Sequence, residues 1–296
     1  MKPYEWMVRH TPQTEWIQGR GILFWIAFFC IELGAATFLI ASLFHNLLAE
    51  FIGWLICALL GGGFHFIYLG HPFRFYRMLL KPQTSWISRG LLFVSGFLLL
   101  SAIHMVLSLS GMSFLGLLIV TDILAFLTII YGGFAMSYVN GIPLWNSALL
   151  PVLYTVAGLW GGAELSIIIQ LQDGSEHVAS LEQIVRVLLI IFVVIFPTYL
   201  VSARYGTSAG RVSVAEIVKG RLWPLFWAGV ILFGTALPIG VVVASLVIGF
   251  DGIPIALFYF SVAFELIGDL TLRYLILKYG FYNPLVPAAD SLSNEQ

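Results

Sequence analysis

Eight stretches of this 296-residue chain are each long and apolar enough to cross a bilayer, and together they leave little room for anything else. Crossing about 30 Å of hydrocarbon at 1.5 Å per residue takes about 20 residues. Stretches of that length run approximately 22–44, 49–69, 87–109, 114–138, 146–170, 184–203, 222–249 and 253–277. Apolar residues make up 60% of the chain and charged residues 10%, so most side chains must be solvated by lipid or by other helices. The expected fold is an all-α integral membrane protein of eight transmembrane helices, arranged as two four-helix bundles within a single membrane domain over 1–296. The first span follows about twenty polar residues and is itself followed at once by further spans, so it reads as a retained helix and not a cleaved signal peptide.

Charge gives an orientation. An even number of spans puts both termini on one side. Thirteen of the fourteen basic residues fall on that side, and Arg186 alone lies opposite. Positive charge resists translocation, so the termini are expected in the cytoplasm and the acidic loop at 172–182 outside. Among soluble functions, no phosphate-binding loop, dinucleotide fingerprint or zinc spacing occurs. The two cysteines, Cys30 and Cys57, lie in different spans without a CxxC spacing, so no metal or iron–sulfur cluster is expected on this chain alone.

Ionisable residues inside a membrane cost about 2.5–3.5 kcal/mol each on insertion scales, so each needs a partner, a wet cavity or a task. Glu32, His65, His104, Asp122, Glu164, Glu265, Asp269 and Arg273 all fall within spans. In the last span Glu265, Asp269 and Arg273 follow at i, i+4 and i+8, along one stripe. Asp269 and Arg273 are placed to pair, either as packing glue or as the end of a proton route that begins at Glu265. Glu32 stands beside Gly34, Ala35, Ala36 and Thr37, small residues that permit close helix approach. Glu32, Asp122, Glu164, Glu265 and Asp269 are the candidate proton carriers.

His65 lies about one turn from the end of the second span and Tyr131 about 10 Å inside the fourth. Both spans run toward the basic side, so the two residues are expected at similar depth. Tyr138 is on the face of Tyr131, at i+7. The turn at 140–146, with Pro143, Trp145 and Asn146, follows, and Gln18, Arg20 and Trp25 enter from the same surface. A quinone needs an apolar slot and hydrogen-bond donors for its two carbonyl oxygens, and a histidine can also exchange a proton near neutral pH. His65 and Tyr131 are therefore candidate catalytic residues, with Tyr138 and Trp25 as further quinone contacts.

The segment GGGFHFIYLGHPFRFYRML at 61–79, Tyr131 followed twelve residues later by Pro143 in PLWN, and FELIGDLTLRYLIL at 264–277 resemble the polysulfide reductase membrane-subunit (NrfD-like) family. That family includes the membrane anchor of dimethyl sulfoxide reductase, and the resemblance covers most of the chain. It implies a subunit of the prokaryotic inner membrane, in anaerobic respiration, that binds quinone (menaquinone or ubiquinone) and holds no metal itself. Electrons would pass between the quinone pool and a ferredoxin-like four-cluster iron–sulfur subunit, and on to a molybdopterin catalytic subunit; no nucleic-acid partner is expected. It implies a quinol-site role for His65 and quinone contact for Tyr131. Arg74 and Arg77 are candidates to face the iron–sulfur partner, although basic turns also contact lipid phosphate.

The sequence departs from the family in two respects. Members resembling polysulfide reductase carry an asparagine and a histidine early in the first span, where this chain has residues such as Phe24 and Ala27. The site-bearing side is usually periplasmic in that family, whereas here it is the basic side. Two other readings compete. A haem b anchor would use His65 and His104 as the only deep histidines, and a secondary transporter would break its helices at Gly61–Gly63, Gly132–Gly133 or Gly161–Gly162.

Overall fold

The computed structural model describes residues 5–69, 71, 74–77, 81–173 and 177–286. Its helices are α1 (Gly21–Leu43), α2 (Leu47–Tyr68), α3 (Trp86–Leu109), α4 (Leu115–Ser137), α5 (Leu149–Asp173), α6 (Val178–Gly206), α7 (Ser208–Lys219), α8 (Leu225–Ile248) and α9 (Ile255–Lys278). All but α7 are long and apolar enough to cross a membrane. The protein is thus an all-α, multi-pass membrane protein.

Most boundaries fall within a few residues of the sequence reading. The exception is α6, which begins at Val178 and not near 184. Glu182 and Arg186, one turn apart, pair across its first turns, so a polar stretch stays helical. The sequence reading also missed α7, which is short and only half apolar. Thr207 starts it by accepting a hydrogen bond from the Gly210 amide at 3.0 Å, and Ala209, Gly210, Ser213, Val214 and Ile217 form its buried face.

Helices α1–α4 pack as one group, and α5, α6, α8 and α9 as another. The seam between them is α1 against α5, with α4 and α9 alongside. Correspondingly, α1 and α5 are the most enclosed spans, 67% and 72% buried, while α6 and α8 are only 28% and 22% buried and turn most of their surface outward. Small residues set the seam. A β-carbon at Gly162 in α5 would lie 2.7 Å from the Ala36 carbonyl carbon and the Thr37 nitrogen of α1. Within the first group, one at Gly34 would lie 2.5 Å from backbone atoms of Gly53 and Cys57 in α2. Lipid is as apolar as the helix faces, so close backbone packing replaces the hydrophobic drive available in water.

Two spans depart from α-geometry: α2 widens into π-helical turns over Ile56–Gly62, and α8 does so over Leu225–Ala236. At the basic end a two-stranded antiparallel ribbon, β1 (Thr11–Pro12) with β2 (Phe281–Tyr282), ties the two ends of the described residues together. The 140–146 turn is fastened beneath it. Trp145, 1% exposed, donates from Nε1 to the Ile276 carbonyl at 2.8 Å and lies 5.0 Å from the Trp16 ring.

Gly162→Val is expected to force α1 and α5 apart and to lower stability by about 1–3 kcal/mol, the usual cost of overpacking. The thermal midpoint of the detergent-solubilised protein measures it, with Gly116→Val, where a β-carbon meets nothing, as the neutral control.

Candidate functional site

At the basic end of the first group lies a cavity of about 180 Å³ between α1, α2, α3 and α4. His65 and Tyr131 both line it, so the depth matching made from helix direction holds in three dimensions. The other polar side chain on its wall is Ser95, and the remainder is apolar, including Phe28, Phe66, Leu69, Phe75, Leu91 and Leu98. Phe28 touches both key residues, with ring centroids 5.4 Å from His65 and 5.2 Å from Tyr131.

Local sequence explains the opening. The π-helical turns of α2 end at Gly62, which itself lines the cavity, and His65 follows within one turn. Such widened turns recur at functional sites because they redirect side chains without breaking the helix. On the opposite wall Gly90 of α3 makes room for Tyr131, since a β-carbon there would fall 2.2 Å from the phenol ring. Ser95 and Gly90 were missed in the sequence. Their signal was only a pair of small residues in an apolar run.

His65 Nδ1 is buried and has no hydrogen-bond partner among the described residues. A buried polar atom of that kind costs about 1–3 kcal/mol unless something satisfies it. Phe24 and Phe28 supply the aromatic surround, with Phe24 5.4 Å from His65 and 5.0 Å from Tyr68. Phe24 thus forms an apolar wall where the family pattern led one to look for polar residues. Two of the residues lining the cavity, Phe66 and Ile87, are themselves 49% and 40% exposed on the outer surface.

The other proposed contacts lie elsewhere. Trp25 donates from Nε1 to the Leu270 carbonyl at 3.1 Å and packs on Tyr274, on the α9 side of α1. Tyr138 sits at the exposed end of α4, outside the cavity lining. Trp145 and Asn146 brace the turn, Asn146 donating to the Ser137 carbonyl at 2.7 Å. Arg74 and Arg77 are exposed and flank in sequence Phe75, which itself lines the cavity. Residues 70, 72, 73 and 78–80 of the 61–79 motif region and its sequel lie outside the described residues.

The proton-carrier candidates divide into three groups. Arg273 is fully buried and grips Glu32 of α1 with two hydrogen bonds of 2.8 and 2.7 Å, and Asp269 with Nε at 3.0 and 3.1 Å. Its guanidinium also lies 4.3 Å from the Tyr154 ring centroid of α5. The Asp269 pair was expected, but the reach to Glu32 was not. Glu164 and Glu265 form the second group. Trp160 Nε1 donates to Glu164 Oε1 at 2.8 Å, while Glu164 Oε2 and both Glu265 oxygens are buried without hydrogen-bond partners among the described residues. Asp122 stands apart in the first bundle, accepting a hydrogen bond from Ser42 Oγ at 2.9 Å.

His104 contacts Glu50 at the far end of α3 from the cavity, with Nε2 to Oε2 at 3.2 Å. Glu50 and His65 are fifteen positions apart on α2, or about 22 Å. His65 and His104 therefore cannot ligate one iron, and the haem reading built on that pair fails on geometry. Among the described residues, no group of three or more His, Cys, Asp or Glu is arranged to hold a metal ion.

Eight lipid-length helices, a buried charge cluster joining two bundles, and an apolar cavity lined by a histidine and a phenol define a multi-pass, all-helical membrane protein. The sequence places it further: the profile described as polysulphide reductase, NrfD, matches residues 8–284, and the protein belongs to that family. The C subunit of polysulfide reductase from Wolinella succinogenes is similar, at 32% identity over 127 residues. That match covers 41% of this chain and 40% of the relative, so it spans well under half of the curated protein.

Removing the cation from the Arg273 cluster leaves two buried carboxylates uncompensated. Arg273→Met is expected to destabilise by about 3–5 kcal/mol, the range for breaking a buried ion pair. Glu265→Gln, which removes an unpartnered carboxylate, is expected to be neutral or stabilising. Folded yield and thermal midpoint of the two variants provide the comparison.

Proposed function

We propose that this protein is the quinone-handling membrane subunit of a respiratory oxidoreductase, with its site in the cavity shared by His65 and Tyr131. The observation that carries the reading is an apolar cavity lined by both a buried phenol and His65, whose buried Nδ1 has no hydrogen-bond partner among the described residues. A quinone ring has apolar faces and two oxygens on opposite edges, and it needs the combination that this wall offers.

A quinol in this cavity would supply two electrons and two protons. His65 is placed to accept a proton from one hydroxyl, and the Tyr131 hydroxyl to donate a hydrogen bond to the other oxygen. Ser95 adds a third polar contact. Phe28 and Phe24 hold the histidine ring and keep water from its faces. An isoprenoid tail would leave for lipid past Phe66 and Ile87, which line the cavity and are exposed on the outer surface. Menaquinone and ubiquinone both fit this description.

Electrons would leave toward a ferredoxin-like four-cluster iron–sulfur subunit and a molybdopterin catalytic subunit, with the exposed Arg74 and Arg77 facing the first of these. Membership of the NrfD family and the name of the Wolinella relative support this assembly. Asp122, Glu164 and Glu265 remain the proposed carriers if protons cross with the electrons. Glu32 and Asp269 are held by Arg273 and suit a structural role better.

The native complex, purified with His65→Ala and Tyr131→Phe beside the wild type, is the test. A quinol analogue is expected to reduce copurified iron–sulfur clusters in the wild type and to fail with His65→Ala while the partners still copurify. Tyr131→Phe, missing one hydrogen bond of about 1 kcal/mol, is expected to weaken analogue binding roughly fivefold. If no iron–sulfur subunit copurifies and no analogue binds, the reading is wrong.

A further inference from the structure

The first bundle has a second cavity at its other end, about 260 Å³, lined by His45, Glu50, His104, Ser108 and the first turn of α4. Its chemistry differs from that of the His65 cavity, for here ionisable groups face one another. Glu50 is 3% exposed, with Oε2 3.2 Å from His104 Nε2, yet that oxygen makes no hydrogen bond among the described residues. A buried carboxylate opposite an imidazole on a cavity wall is a pair between which a proton can be exchanged without a net charge being left in hydrocarbon.

The groups around Glu50 come from every neighbouring element. α3 gives His104, the turn between α1 and α2 gives His45, and α4 gives Asp122, itself held by Ser42 of α1. From α5, Ile169 packs against Ala41 and Ala49 beside Glu50. Toward the centre of the bundle Phe38 stands beside His104, at 6.5 Å between centroids. Beyond it, along α4, Thr128 has a buried hydroxyl without a hydrogen-bond partner among the described residues, one turn from Tyr131.

We infer that Glu50 and His104 form a proton-exchange site at the membrane face opposite the His65 cavity. A proton taken from water onto His104 Nε2 yields a cation held by the Glu50 carboxylate, and its passage to Oε2 leaves both side chains neutral. No oxidant or reductant is involved in that step. Resting on the quinone reading, the site would couple proton exchange at this face to turnover at the other end of the same four helices.

The wild-type complex and the variants Glu50→Gln and His104→Gln are compared in two ways. Infrared difference spectra of the membrane-embedded protein between acid and alkaline pH should contain a carboxyl band that is lost in Glu50→Gln and shifted in His104→Gln. In proteoliposomes with pH-sensitive dye confined to one side, Glu50→Gln should lose proton exchange per electron at the far face, and Glu50→Asp should retain it. A full-length complex that keeps wild-type exchange at that face in Glu50→Gln overturns the inference, as does the absence of any Glu50-dependent band. The infrared readout needs no quinone, so its result stands even where quinol oxidation is absent and the quinone reading has failed. A variant that does not assemble is replaced by Asp122→Asn, which should shift the same band through Glu50.

Discussion

Arg273 is the charge around which the two halves of the protein are assembled. It lies on the last helix, binds Glu32 on the first, pairs with Asp269 one turn back and lies over Tyr154 of α5. In hydrocarbon none of these charges is tolerable alone. The two helices that carry them, α1 and α9, must therefore come together, and the Tyr154 ring brings α5 against the same cluster. Once α1 is fixed by Glu32, its other face is committed to α2 and α4, where the His65 cavity forms.

That arrangement separates rigid from open regions. The seam is closed by glycine and alanine at backbone contact. The cavities lie at the two ends of α1–α4, where the backbone is least regular: π-helical turns before His65, and the connections after α1 and α3 at the Glu50 end. A bundle packed tightly at its centre and hollow at both ends suits chemistry that must meet lipid at one face and water at the other. The second bundle has its own π-helical stretch in α8, beside the Gly234–Gly268 contact and the buried Glu265.

What the amino-acid sequence discloses on inspection follows from local rules. Helix number and length come from the thickness of hydrocarbon, and the pairing of Asp269 with Arg273 from i, i+4 spacing. The common depth of His65 and Tyr131 comes from helix direction and rise. Each is a statement about residues near one another in sequence or about a helix against the bilayer. The reading was less complete where partners are distant. Glu32 and Arg273 are 241 positions apart, and an isolated mid-span acid reads equally well as a carrier or an anchor. Glu50 was not singled out in the sequence, and only packing against α3 buries it with His104.

By itself the sequence determined that this is a helical membrane protein of eight spans, that its resemblance is to the NrfD family, and that a histidine and a tyrosine stand at matching depth. These follow from the cost of placing polar groups in lipid, which acts on every residue independently of the partners it finds. Only the tertiary structure decided which acids are neutralised and which are left facing a cavity. It also moved Trp25, Tyr138 and Trp145 out of the His65 cavity and brought in Ser95 and Gly90. Those outcomes depend on which helix faces meet, and close approach at a few small residues selects among pairings that the apolar pattern alone leaves equivalent.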